Sequence, residues 1–162
     1  MMFNFSRSSD VNFEKRDYDE FIAYGQSKTA NVLFSVGLTK KFANDGVVSN
    51  AVMPGAIMTN LQRHMTKEEW IKRGWSDQDG KLLFKLKSVE AGAATSVWAA
   101  ISTDLEGKGG LYLENCQVSK EETSVSEIFK HMFGYLPHAV DQQAADNLWT
   151  FSEELLKKHQ PK

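Results

Sequence analysis

The chain has 162 residues and a formal net charge of -2. That length supports a real hydrophobic core, and the balanced charge excludes a nucleic-acid footprint or a polybasic membrane patch. Cys116 is the single cysteine, which excludes a disulfide framework and a cysteine metal site, and His64, His131, His138 and His159 are scattered with no spacing that suggests metal ligation, so they read as surface or loop residues.

No apolar run reaches the length of a transmembrane helix, and the amino terminus is too short and polar for a signal peptide. A reducing, cytoplasmic setting is the expectation. Residues 1–18 sustain no period and read as an arm or loop, with one short extended piece at 11–13.

Residues 19–44 read as a helix. Ala30, Leu33, Phe34, Gly37, Leu38, Lys41 and Phe42 recur at three and four, Lys41 through its aliphatic stem. Asp17 or Asp19 suits the start, Lys40 and Lys41 suit the last turn, and Asn44-Asp45-Gly46 stops it. Gly37 inside the helix predicts close approach of another helix or of the sheet. Near the start lies Tyr24-Gly25-Gln26-Ser27-Lys28. Four residues apart, Tyr24 and Lys28 share a face one turn from each other. A phenol beside an ammonium is useful because the cation favours the phenolate, drawing the phenol toward the range of general acid–base work. A tyrosine packed along a lysine stem gives the same spacing with no chemistry in it.

Residues 47–53 are β-rich and bounded by turns, which predicts a strand. Helix, Gly turn and strand make half of a βαβ unit, so the sheet is expected to be parallel. Ligands of such sheets sit beyond the carboxyl ends of the strands, here Pro54-Gly55-Ala56-Ile57-Met58-Thr59. Gly55 permits close backbone approach, and Thr59 offers a hydroxyl. Thr66-Lys67-Glu68-Glu69 is a capping box that starts a short helix carrying Trp70 and Ile71. Residues 56–87 form an excursion that is either a lid over the site or a plain surface insertion.

Ser88 caps a second helix reaching about residue 102, with Ala91, Ala94, Thr95, Val97, Trp98 and Ile101 expected inward. Its small residues allow another helix to approach closely. Gly107-Lys108-Gly109-Gly110 is a loop and no phosphate cradle, because no helix pattern follows it. Residues 111–113 read as a second strand and 114–137 as irregular. A last amphipathic helix over 140–158 presents Ala144, Ala145, Leu148, Trp149, Ser152, Leu155 and Leu156, with Trp149 in the core. Nothing marks an internal repeat or a domain boundary, so residues 1–162 read as a single domain.

The order Tyr-x-x-x-Lys, Gly turn, strand, Pro-Gly-x-Ile-x-Thr resembles the carboxyl half of the short-chain dehydrogenase/reductase family. Residues 23–31, Asn12-Phe13-Glu14-Lys15-Arg16 and the 107–113 run resemble its retinol-dehydrogenase-like and WW-domain-oxidoreductase-like branch. The resemblance covers roughly residues 12–118, and more loosely the final helix. It implies an α/β fold, the carboxyl-terminal part of a Rossmann-type doubly wound parallel sheet with its amino-terminal βα units missing. The family's Gly-rich dinucleotide turn has no counterpart in the 23 residues before Tyr24.

The resemblance implies roles by position. Tyr24 is the acid–base residue, and Lys28 lowers its pKa and bonds the nicotinamide ribose. Ile57 meets the nicotinamide carboxamide through its backbone, Thr59 reaches the carboxamide or the phosphates, and Gly55, after Pro54, leaves room for the ring. The cofactor is NAD or NADP, and the substrate is an alcohol or carbonyl compound of lipophilic character. Ser6, Ser8 and Ser9 are the only serines upstream of Tyr24, and no strand leads into them. The helices over 19–44 and 88–102 are the expected surfaces for homo-oligomerisation. They serve equally the alternative of a non-catalytic fragment docking on a full-length relative.

Overall fold

A computed structural model describes residues 10–131 and 133–159. Ser6, Ser8, Ser9 and the first half of the arm lie outside the described residues. Immediately after Asp10 the chain turns, in place of the expected extended piece. The Asp10 carboxylate accepts from the Glu14 and Lys15 amides at 2.7 and 3.0 Å and curls the backbone around itself.

Helix α1, Glu20–Phe42, starts where Asp19 accepts from the Phe21 and Ile22 amides at 2.9 and 2.8 Å. It ends through a short 3-10 turn at Gly46, whose φ of 78° suits glycine. Its buried residues are Gly25, Gln26, Thr29, Val32, Leu33, Ser35, Val36 and Gly37, a wider arc than a three-and-four stripe. Phe34 and Phe42 are correspondingly more exposed than expected, yet both rings meet Trp149, with centroids at 5.6 and 5.9 Å. The arc is wide because α1 is covered by the carboxyl-terminal helix, by the first strand and by the Gly109-Gly110 loop.

Strand β1 is Ala51–Met53, shorter than the predicted 47–53. Just before it, side chains take over the backbone groups. The Thr39 hydroxyl donates to the Ser49 carbonyl at 3.0 Å and accepts from the Ser49 amide at 2.9 Å, while Asn50 holds the Lys108 carbonyl and the Leu111 amide. The excursion comes next, with α2 at Lys67–Lys72 and both halves of the Thr66/Glu69 capping box formed. Helix α3, Val89–Ile101, is capped by Ser88. Only Gly92 and Thr95 are buried on it, whereas Val97 and Ile101, expected inward, are 55% and 76% exposed. A helix this apolar all round carries no stripe from which its phase can be read.

Strand β2, Tyr112–Glu114, lies one residue later than predicted and pairs parallel to β1, Ala51 opposite Tyr112 and Met53 opposite Glu114. Two elements occupy the segment expected to be irregular. Strand β3, Gln117–Val118, runs antiparallel to β2, and α4 spans Val125–His131. The sheet is therefore mixed rather than purely parallel, in the order β1-β2-β3. Asn115 and Cys116, at φ 52° and 55°, form the two-residue turn that reverses the chain, a left-handed pair that asparagine tolerates.

Helix α5, Gln142–His159, packs on α1. Leu33, Val36, Ala144, Ala145 and Leu148 form the core between them, with Val11, Ala30 and Val140 against it. Gly37 is the point of approach: a Cβ there would lie 3.5 Å from the Trp149 ring and 3.6 Å from the Ala145 carbonyl. Leu156, expected on the packing face, is 67% exposed.

Candidate functional site

Burial of one face of α1 turns the other face outward. Gln26 is the anchor on the inner side. Its Nε2 donates to the Val11 carbonyl at 2.7 Å, and its Oε1 accepts from Arg16 at 2.7 Å, so the arm is bound to the helix. Thr29, one turn on, is fully buried. Tyr24 and Lys28 consequently face solvent, Tyr24 61% exposed, with the Lys28 ammonium 5.2 Å from the centre of the Tyr24 ring.

Tyr24 also stands near the sheet. Burial pushes the Tyr112 phenol up to about 12, and the charges of Glu114 and of Tyr24 add to that. Tyr112 is opposite Ala51, two residues before the end of β1. Tyr135 meets it edge-on at 5.8 Å, and its phenol is likewise raised by burial and by Glu121. Tyr112 and Tyr135 thus pack together where β2 begins.

The excursion over 56–87 is fastened to the start of the same helix. Arg73 pairs with Glu20 at 3.0 Å, lies 4.0 Å from the Phe21 ring and 5.4 Å from the Trp75 ring. Glu20 and Phe21 are one turn ahead of Tyr24. Trp70, Trp75 and Phe84 contact edge-on at 5.5 and 6.5 Å, giving the excursion a small aromatic centre of its own.

Pro54, Gly55, Ile57 and Thr59 form one continuous lip at the carboxyl end of β1. Gly55 has φ 99°, which glycine alone adopts at no cost. A Cβ on it would lie 2.9 Å from the Lys87 stem, so the lysine occupies the room directly over it. The Lys87 ammonium bonds Pro54 O at 3.3 Å and Asn115 Oδ1 at 2.6 Å, and its amide donates to Ala56 O at 2.9 Å. Ile57 lays its side chain across Gly92 of α3. Its carbonyl accepts from Gln62 Nε2 at 3.2 Å, while Gln62 Oε1 accepts from the Thr59 amide and hydroxyl at 3.0 and 3.2 Å. The lip is thus preformed.

The Tyr24–Lys28 pair and the lip are two separate groups, and neither Tyr24 nor Lys28 hydrogen-bonds to residues 54–59 among the described residues. Gln62, Arg73, Lys87 and Tyr112 carry no signal in the sequence. Arg73, Lys87 and Tyr112 act through partners far away along the chain, whereas Gln62 bonds Ile57 and Thr59 a few residues before it; only the Ser88 cap beside Lys87 is visible locally. Among the described residues no group of three or more His, Cys, Asp or Glu side chains could hold a metal, and no helix is long and apolar enough to cross a membrane.

Curated relatives are similar over most of the chain. A probable oxidoreductase of Streptomyces antibioticus is 43% identical over 150 residues, which is 91% of this chain and 49% of that protein. The short-chain dehydrogenase/reductase prx1 of Penicillium rubens is 37% identical over 147 residues, 91% of this chain and 41% of the relative. A human WW domain-containing oxidoreductase is 35% identical over 161 residues, 96% of this chain and 32% of that protein. The chain therefore spans about half the length, or less, of the curated relatives it matches. No family model and no solved structure matches it.

Proposed function

We propose, on the premise that the chain belongs to the short-chain dehydrogenase/reductase family, that it takes part in NAD(P)-dependent oxidoreduction of an alcohol or carbonyl substrate. The observation that carries this is the Tyr24–Lys28 pair: a solvent-facing phenol with an ammonium 5.2 Å from the centre of its ring, on the helix that precedes a parallel strand pair. In this reading the three strands are the edge of a doubly wound Rossmann-type sheet.

The residues present fit the nicotinamide end of such a cofactor. Lys28 would bond the ribose, and Thr59, exposed at the end of the Pro54–Thr59 lip, would carry the hydroxyl for the carboxamide or the phosphates. Hydride transfer is the chemistry that the cofactor supplies when bound. Tyr24 Oη gives a proton to the carbonyl oxygen in reduction and takes the alcohol proton in oxidation. The Lys28 ammonium, held 5.2 Å from the centre of the Tyr24 ring, would bond the ribose beside it. The excursion over 56–87 serves as a lid, latched to α1 by the Arg73–Glu20 pair.

Calorimetry of the full chain with NADH and NADPH tests the reading. Binding of either, with a Tyr24→Phe variant that binds as well but turns over about 100-fold or more slowly, supports it. Absence of binding to both refutes it for this chain.

A second reading is favoured by the exposed apolar side of α3, where Val89, Val97 and Ile101 are 63%, 55% and 76% exposed. In it the chain docks without catalysis on a full-length relative or on its own copy. The surface is α3 rather than α1, whose inner arc α5 already covers. A shift in elution when the chain is mixed with a full-length relative supports it, and unchanged elution at micromolar concentration counts against it.

A further inference from the structure

One side chain that lies over the lip is assigned no role by the family pattern or by the sequence. Lys87 crosses the carboxyl ends of both parallel strands. Its stem lies over Gly55, and its ammonium joins Pro54 O, just past β1, to Asn115 Oδ1, just past β2. Both partners are neutral acceptors. An ammonium has three donors, and these two bonds use two of them. No ion pair involves Lys87 among the described residues. The acidic neighbour in sequence of Asn115, Glu114, is turned inward and buried, where the Ser119 hydroxyl and the Gly134 amide donate to it.

We propose that Lys87 is an anion contact of this site, whose ammonium binds a phosphate oxygen of the dinucleotide. The proposal rests on the oxidoreductase reading and adds a residue to it. The position is right, because ligands of parallel sheets lie beyond these strand ends. The energetics favour exchange, because a charge-assisted bond to a phosphate is shorter and stronger than one to a neutral carbonyl or amide oxygen. Gly55 is part of the device. Its missing side chain and its φ of 99° are what admit the lysine stem.

A purely structural brace between the two strand ends is the alternative, and a variant set separates the two. The full chain is titrated with NADH by fluorescence and with inorganic pyrophosphate by calorimetry, as wild type, Lys87→Met, Lys87→Arg and Asn115→Gly. The methionine keeps the stem and removes the charge. The glycine suits the left-handed turn and removes the far end of the brace while leaving the ammonium. Lys87→Met is expected to weaken both ligands by about tenfold or more, the loss of one charge-assisted bond. Lys87→Arg should stay within about threefold of wild type, and Asn115→Gly should bind as well as wild type or better. Equal affinity of Lys87→Met and wild type overturns the proposal, and so does an Asn115→Gly loss as large as that of Lys87→Met. If wild type binds pyrophosphate but neither NADH nor, in the calorimetry above, NADPH, the oxidoreductase reading fails and the pyrophosphate comparison alone decides on Lys87. Absence of pyrophosphate and nucleotide binding alike overturns both.

Discussion

Gly92 and Ile57 give the sharpest test of how α3 holds the lip. A Cβ built on Gly92 would lie 2.1 Å from Ile57 Cδ1, 2.8 Å from Cγ1 and 3.9 Å from Cβ. Replacing a glycine in a helix interior by alanine should stabilise by about 1 kcal/mol. Here the added methyl cannot coexist with the isoleucine, and overpacking costs about 1–3 kcal/mol. Gly92→Ala should therefore be destabilising by about 1 kcal/mol net. Ile57→Ala removes the two offending atoms and leaves the 3.9 Å neighbour, an ordinary contact. In that background Gly92→Ala should change sign and stabilise by up to about 1 kcal/mol. The coupling between the two sites is then about 1–3 kcal/mol, the range for side chains in direct contact. Urea denaturation followed by far-ultraviolet circular dichroism measures all four proteins, with constant m-values required for the comparison. The reasoning is refuted if Gly92→Ala has the same effect in both backgrounds, or if it stabilises the wild type.

Other glycines should behave differently. Gly37→Ala meets only ordinary contacts at 3.5–3.8 Å and should stabilise by about 0.5–1 kcal/mol in the same urea assay. Gly109→Ala would place its methyl 2.5 Å from Thr39 Oγ1 and 2.7 Å from Val48 Cβ. It should destabilise by about 1–3 kcal/mol as the Thr39–Ser49 bonds are displaced. The raised phenol of Tyr112 makes stability pH-dependent at the alkaline end. The unfolded chain loses this proton near pH 10 and the folded chain near 12, so stability is full below 10 and falls between 10 and 12. About 2–3 kcal/mol is lost across that window, and Tyr112→Phe should flatten the decline in denaturation measured from pH 9 to 12.

The helices were readable because their ends are written locally. Asp19, Thr66 and Ser88 each accept an amide of the turn that comes after, and the expected caps match the observed ones. The inward faces were less readable. The moment of α5 is strong and its inner residues Ala144, Ala145 and Leu148 follow from its stripe, although Leu156 does not. α3 is apolar on every side, so the choice of Gly92 and Thr95 as the buried pair came from its neighbours, Ile57 and Cys116, and not from any period. The hairpin of β2 and β3 was missed for another reason. Its two-residue turn, Asn115-Cys116, lacks the glycine that usually announces one, and only the asparagine hinted at it.

For the site the same division between local and distant holds. A phenol and an ammonium four residues apart are a local fact, and the helix delivers them to one exposed face as the spacing requires. The Pro54-Gly55 turn was equally local, but the reason for its glycine was not. From sequence, Gly55 meant open space for a ring; in the fold that space holds a lysine from 32 positions later, 87 minus 55. An inference from a glycine to an empty cradle assumes that nothing else in the chain reaches the same place. Lys87 does reach it, and a cation there is no neutral obstruction. It would repel a cationic ligand and favour a polyanionic one, so the residue that fills the cradle also narrows what can enter. If the nicotinamide ring is to pass over Gly55, the lysine stem must swing aside, and its ammonium then needs a new acceptor. The dinucleotide's own phosphates can provide one, which ties opening of the cradle to the chemistry of the ligand that opens it.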